Sequence, residues 1–421
     1  MPFLPYARYA SSLVAALLLC AVAQSALAAN PLEEVLAFGR PLADLRLRFE
    51  NVGQENKTKE ASAATLRARL GYQTKEFLGL SALAEFDLVQ HFGASHYDDT
   101  IGSGLSAYAV IADPDMATLN RLQLAYAARI FSDTEGMQDL HAVLGRQRFV
   151  LGDGRYIGNA DWRQHEQTFD AVSMTETLIP AVTLTYAYVD RVNRIFGPAS
   201  PAGHFDSDSH LFHLAFTGLA PSLRVEGFAY FIDLKQAPQS SAQTVGLRAE
   251  ERVDLGAGVA LRMNATYANQ RPYGGNLRAF DLTNYLAEGG LAYHGWTGLI
   301  GYEVLEGDGH AAFQTPLANL HAFQGWAEIF LVKPPDGLKD LYLKGTYNFD
   351  AVPFLARLTP SFAYHSFSAE HVTADYGHEW DAQMEAQVDA HLTLDGTLAV
   401  HTPGGPFPAK TVFWLYATYR L

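Results

Sequence analysis

Residues 379–391 alternate without a break. Trp380, Ala382, Met384, Ala386, Val388 and Ala390 share one parity, and Glu379, Asp381, Gln383, Glu385, Gln387, Asp389 and His391 share the other. Successive side chains of a strand point to opposite faces, so one face is apolar and the other carries the acids. A helix would scatter these carboxylates around its cylinder. The same pattern recurs at 44–50, 65–73, 121–130 and 259–267. These runs reach about ten residues, the length a tilted strand needs to cross a bilayer, against about five or six in most proteins. An open strand edge in lipid leaves backbone groups unpaired at high cost, so strands of this kind must close into a barrel.

About eighteen candidate strands fit between 40–52 and 410–421, an even number as in bacterial outer-membrane barrels. Short turns such as 75–77, 218–221 and 254–258 alternate with long connections at 93–117, 150–167, 194–207, 271–282 and 307–337. That is the expected alternation of periplasmic turns and extracellular loops. The last residues place Phe413, Leu415, Ala417, Tyr419 and Leu421 on one apolar face. Such a terminal strand is what the barrel-assembly machinery reads, although Leu421 stands where Phe is usual. The fold class expected is an all-β, antiparallel transmembrane barrel of about 18 strands, with 16 as the neighbouring possibility.

Composition narrows the alternatives. Lys and Arg number 30 against 45 Asp and Glu, a formal charge of -15, so the basic footprint of a nucleic-acid binder is missing. Aromatics at 12 % exclude a disordered chain. No run of about 18 apolar residues follows residue 28, which excludes a helical span there. Residues 1–28 read as a cleaved signal peptide: Arg8, an apolar run from Ala10 to Val22, then Ala26-Leu27-Ala28. The only cysteine, Cys20, falls in this segment, so no disulfide is expected in the mature protein. The remainder, 29–421, reads as a single barrel domain in the bacterial outer membrane.

Two stretches carry a family resemblance. One is Gly145-Arg146-Gln147-Arg148-Phe149-Val150-Leu151-Gly152-Asp153-Gly154-Arg155, continuing through Asn159, Asp161-Trp162-Arg163 and Phe169-Asp170. The other is Phe323-Gln324-Gly325-Trp326-Ala327 followed by Pro335-Asp336-Gly337-Leu338-Lys339-Asp340-Leu341. Both resemble the alginate-export family of outer-membrane porins. The resemblance implies a monomeric barrel whose arginine-rich lumen passes an anionic polysaccharide.

The polar faces supply the candidate path. Arg46, Arg48, Arg67, Arg69, Arg121, Arg129, Arg146, Arg148, Arg248 and Arg262 all fall on them. Each guanidinium can pair both oxygens of a carboxylate, so a lumenal ladder would attract alginate-like chains, uronates, organic acids or other polar anions. Arg155 and Arg163 lie on the 150–167 connection, which is expected to fold inward as a constriction held by Asp153, Asp161 and Glu166. The competing structural reading is that these charges form ion pairs filling a wet interior. In that reading Glu379, Asp381, Glu385 and Asp389 neutralise Arg46 and Arg48 across the barrel closure.

No cofactor is expected. Asp113-Pro114-Asp115, Asp206-Ser207-Asp208 and Gly307-Asp308-Gly309 have the oxygen chemistry for calcium, but also that of surface turns. Trp162, Trp296, Trp326, Trp380 and Trp414 are candidate interface anchors, with packing inside loops the alternative for Trp162 and Trp326. No catalytic constellation is visible. The leading expectation is a passive channel, with lipid, the assembly machinery and an anionic or polar solute as partners. A plugged barrel acting as enzyme or adhesin is the alternative.

Overall fold

The structure, a computed structural model, describes residues 31–421 other than 94, 102, 129–139, 180 and 351. The expected leader, with Cys20, and Arg129 lie outside the described residues. A short helix α1 (Pro31–Ala37) precedes eighteen strands. They are β1 (Arg40–Gln54), β2 (Ala61–Gln73), β3 (Leu80–His91), β4 (Met116–Ala128), β5 (Leu140–Gln147) and β6 (Thr168–Ile179). β7 (Val182–Asn193), β8 (His204–Ala220), β9 (Leu223–Ile232), β10 (Ala242–Gly256), β11 (Val259–Pro272) and β12 (Leu282–Tyr293) follow. β13 (Trp296–Leu305), β14 (Leu338–Tyr347), β15 (Arg357–Ser368), β16 (Asp375–Gln387), β17 (Leu392–Pro403) and β18 (Lys410–Arg420) complete the set.

Every strand pairs antiparallel with its sequence neighbours, and β1 closes on β18 with Arg48 opposite Tyr416 and Phe49 opposite Leu415. Closure leaves no open edge, which is the condition lipid imposes. The wall is inside out relative to a water-soluble sheet. On β1, Leu45, Leu47 and Phe49 are 39, 49 and 40 % exposed, while Arg46, Arg48 and Glu50 are at most 5 % exposed. Apolar side chains therefore face lipid and charged ones face the lumen.

One rim carries tight hairpins. Ala257-Gly258 and His294-Gly295 each have two consecutive positive φ angles, the backbone of a turn whose twist matches the strands it joins. The opposite rim carries the connections 92–115, 148–167 and 306–337. Short turns mark the periplasmic side. Two of the long connections turn into the barrel and build an apolar core there. Tyr156, Ile157, Phe313, Leu317 and Phe330 pack against wall residues such as Phe228 and Tyr230. A second cluster joins Val52, Ile111, Ala327 and Trp414.

Three expectations are corrected here. Trp414 is 2 % exposed and points into the lumen, because it shares parity with Val412 and Thr418; among the candidate anchors Trp296 and Trp380 do face outward. Asp389 does not line the lumen, because β16 ends at Gln387 and its carboxylate accepts the N–H groups of His391 and Leu392 in the turn. Glu379 and Asp381 do not neutralise Arg46 and Arg48. Closure places β18, not β16, beside β1. Glu379 instead accepts the Ala327 N–H at 2.7 Å, and Asp381 stands 3.8 Å from His365.

Candidate functional site: an infolded loop clasped by lumenal arginines

β5 is short because its chain leaves the wall at Gln147. The exposed backbone is made good by Arg146, which donates to the Leu119 carbonyl at 3.1 Å and forks onto Asp170 at 2.7 and 2.9 Å. The loop 148–167 then crosses the lumen. Its first half docks on the far wall. Arg155 pairs with Glu303 at 2.6 Å, the Tyr156 hydroxyl meets Asn284 at 2.5 Å, and Asp153 lies 3.6 Å from Arg248.

The second half returns to β1–β4, where the alternation of β1 and β2 has set guanidiniums on one face. Arg46 sits opposite Arg67, and Asp44 opposite Arg69. Arg46 Nη1 donates to the carbonyls of Asp161 at 3.0 Å and Trp162 at 3.1 Å. Arg48 donates to the same Trp162 carbonyl at 3.1 Å and pairs with Glu50 at 2.6 Å. Arg69 reaches Asp161 at 2.5 Å, the Gln164 carbonyl at 3.0 Å and Asp87 at 3.3 Å. Arg67 pairs with Asp44 at 2.5 Å. Arg163 bonds Glu50 at 3.3 Å and Glu328 at 2.5 Å. Burial opposes the ionised Asp161 carboxyl, but Arg69, Arg67 and Arg46 outweigh it and hold the group below the usual carboxylate range.

The loop also pairs with the other infolded connection, 306–337. Gly158 N–H donates to the Leu317 carbonyl and Asn319 N–H to the Gly154 carbonyl, both at 2.8 Å. A Cβ at Gly158 would collide with Asn319, so this seam requires glycine. The Trp162 ring stacks on His321 at 3.7 Å between centroids. Burial keeps the His321 imidazole pKa below its ordinary value, although Glu328 pulls it the other way. Glu328 itself is held at about 2, with burial opposing and Arg163 and His321 prevailing.

The expected site residues therefore separate. Arg46, Arg48, Arg67, Arg69 and Arg163 converge on the loop with Asp161. Arg148 pairs with Glu166, which also accepts from Asn159 at 3.0 Å and Asn120 at 2.5 Å. Arg155 and Asp153 belong to the opposite wall. Arg121 forks onto Glu85 at 2.8 and 2.7 Å. Arg262 is exposed at the periplasmic end of the lumen and has no ion-pair partner among the described residues. Of the calcium candidates, Asp113 is buried, pairing with Arg48 at 3.5 Å and accepting the Gln164 N–H at 3.1 Å. Asp206 pairs with Arg191 at 2.7 Å, and Asp308 accepts two N–H groups of its own turn.

Residues that sequence reasoning passed over include Asp87, Asn319, His321 and Glu328. His165 joins them, set between Asp87 at 3.2 Å and the Pro114 carbonyl at 3.1 Å. Asp44 and Glu50 shared the arginine parity of β1 and were findable from it. The others lie in loops without periodicity, or at a parity whose partners only the fold supplies.

Lys333 is a further buried cation of this region, 2 % exposed, with Nζ donating to Thr315 Oγ1 at 3.2 Å. Burial lowers its pKa to about 8, with Glu303 only partly opposing. The folded chain thus binds fewer protons than the unfolded one between about pH 8 and the ordinary lysine value of 10.5, and stability rises with pH across that window. At neutral pH the charged form costs about 3 kcal/mol. Lys333→Met is expected to raise the thermal unfolding temperature at pH 7 and to abolish the further rise toward pH 10. Unfolding followed by circular dichroism at the two pH values checks this.

A closed barrel with an apolar exterior and a charged interior defines an outer-membrane β-barrel, and this chain has that architecture. No protein-family model and no curated protein matches it. Solved structures do. Pseudomonas aeruginosa OpdO aligns with a TM-score of 0.67 at 16 % identity, over 91 % of this chain and 97 % of that one. Acinetobacter baumannii OccAB4 aligns at 0.66 and 14 %, over 91 % and 98 %. Pseudomonas aeruginosa OpdK, solved with vanillate, aligns at 0.66 and 14 %, over 90 % and 98 %. These likenesses support the porin half of the family resemblance and do not extend to alginate export.

Proposed function

We propose that this protein is a passive channel of the bacterial outer membrane for small anionic or polar solutes, working as a monomer without catalysis. The observation that carries the reading is the uneven engagement of the lumenal arginines. Arg46 has no carboxylate within ion-pair reach among the described residues; its acceptors are backbone carbonyls and Thr418. Arg48, Arg67 and Arg148 each keep a buried Nε–H without a hydrogen-bond partner. A lumenal guanidinium without a carboxylate partner leaves positive charge that stabilises anions in transit.

Among anions, a uronate or other organic acid fits better than an alginate-like polymer, because two infolded loops fill the interior. Vanillate in the OpdK structure is a carboxylate of that size class. The test is the reversal potential of the refolded barrel in a planar bilayer under a salt gradient. Anion selectivity is expected. Cation selectivity would overturn the role given to the arginines, and a folded barrel without conductance would favour the plugged alternative.

A further inference from the structure

The lipid-facing wall between β10 and β14 is hollowed. Outward Ala249, Ala265 and Ala287 are direct cross-strand neighbours, and Gly289 lies one outward position along β12. Larger side chains, among them Met263, Ile300 and Tyr302, rise around this floor. The result is a shallow apolar groove of about 640 Å³ on a surface that hydrocarbon must cover.

One end of the groove is ionic. Glu251 shares the outward parity of Ala249 and Val253, lines the groove, and is half-buried. Its outward neighbours Leu223 and Met263 are apolar, and it forms no ion pair with a described residue. Its height follows from the register. Glu251 lies opposite Leu223, the first residue of β9 after the periplasmic turn 221–222. At the feet of β12, β13 and β14, Tyr293, Trp296 and Tyr347 align as cross-strand partners and mark the membrane edge, four residues along β12 from Gly289, which shares the Glu251 row. The carboxylate therefore stands toward the periplasmic end of the wall, and the groove climbs from it into the hydrocarbon.

We propose that this groove holds an acyl chain of a phospholipid with a primary-amine headgroup, whose ammonium pairs with Glu251. The chemistry selects this occupant. An ionised side chain facing lipid is costly unless it is partnered. An anionic headgroup would be repelled, and a quaternary ammonium offers no N–H donor. A second copy docked here about a two-fold axis would bring Glu251 toward Glu251.

The barrel is reconstituted in equal parts of phosphatidylethanolamine, phosphatidylcholine and phosphatidylglycerol and extracted into mild detergent. Retained lipid is then read by native mass spectrometry. A several-fold excess of retained phosphatidylethanolamine is expected. Glu251→Gln brings the three lipids to near parity, and Ala265→Phe with Ala287→Phe removes retained lipid of every class. Equal retention by the unaltered barrel, or an unchanged preference in Glu251→Gln, overturns the proposal. Barrel dimers cross-linked through a cysteine at position 265 would assign the face to a second copy instead.

Discussion

Arg69→Leu is expected to raise single-channel conductance several-fold while leaving the barrel closed. Arg69 is 1 % exposed and touches Asp161, Asp87, Glu166 and the Gln164 carbonyl. Its removal leaves buried Asp87 and Glu166 and half-buried Asp161 without their shared cation. Breaking one side of a buried ion pair costs about 3–5 kcal/mol. That charge falls on the docked loop, whose alternative is to swing out and solvate its acids. The wall keeps its strand-to-strand hydrogen bonds whichever state the loop adopts. Conductance in planar bilayers and the heat-modifiable migration of the folded barrel separate the two effects. Arg69→Lys restores a cation but not the fork, and an intermediate conductance is expected. Wild-type conductance in Arg69→Leu, with the fold intact, would show that the clasp does not hold the loop.

The wall was legible because the membrane reverses the usual sense of burial. Leu45, Leu47 and Phe49 opposite Arg46, Arg48 and Glu50 admit one reading, and a slip of one residue would turn the arginines into lipid. Strand boundaries read from the sequence therefore fall within a few residues of those observed; the first, expected at 40–52, spans Arg40–Gln54, and the last, expected at 410–421, spans Lys410–Arg420. The site was legible in composition and not in partnership. Parity shows that Arg46 and Arg69 face the lumen, and nothing local shows that they grip Asp161. That contact spans over ninety residues of chain and depends on where the loop turns inward. Asp113 illustrates the limit: Asp-Pro-Asp reads as a surface turn, and only the fold carries it beneath Gln164. Trp414 shows the opposite case, since its parity in β18 already assigned it to the lumen.

Arg46→Gln is expected to lower anion preference without releasing the loop. The two properties separate because Arg46, unlike Arg69, is bonded to neutral acceptors. Its removal breaks no ion pair, and Asp161 keeps Arg69 at 2.5 Å. The variant therefore subtracts one positive charge from the lumen without breaking an ion pair. At a separation of about 6 Å and an effective dielectric of about 40, one charge is worth about 1.4 kcal/mol, or about tenfold in anion occupancy. The anion-to-cation permeability ratio should fall by about that factor at 0.1 M salt and by less at 1 M, where screening shortens to about 3 Å. Conductance should stay near wild type, in contrast to Arg69→Leu. If selectivity is unchanged, the ladder lies off the conduction path and its arginines act only as fastenings for the loop.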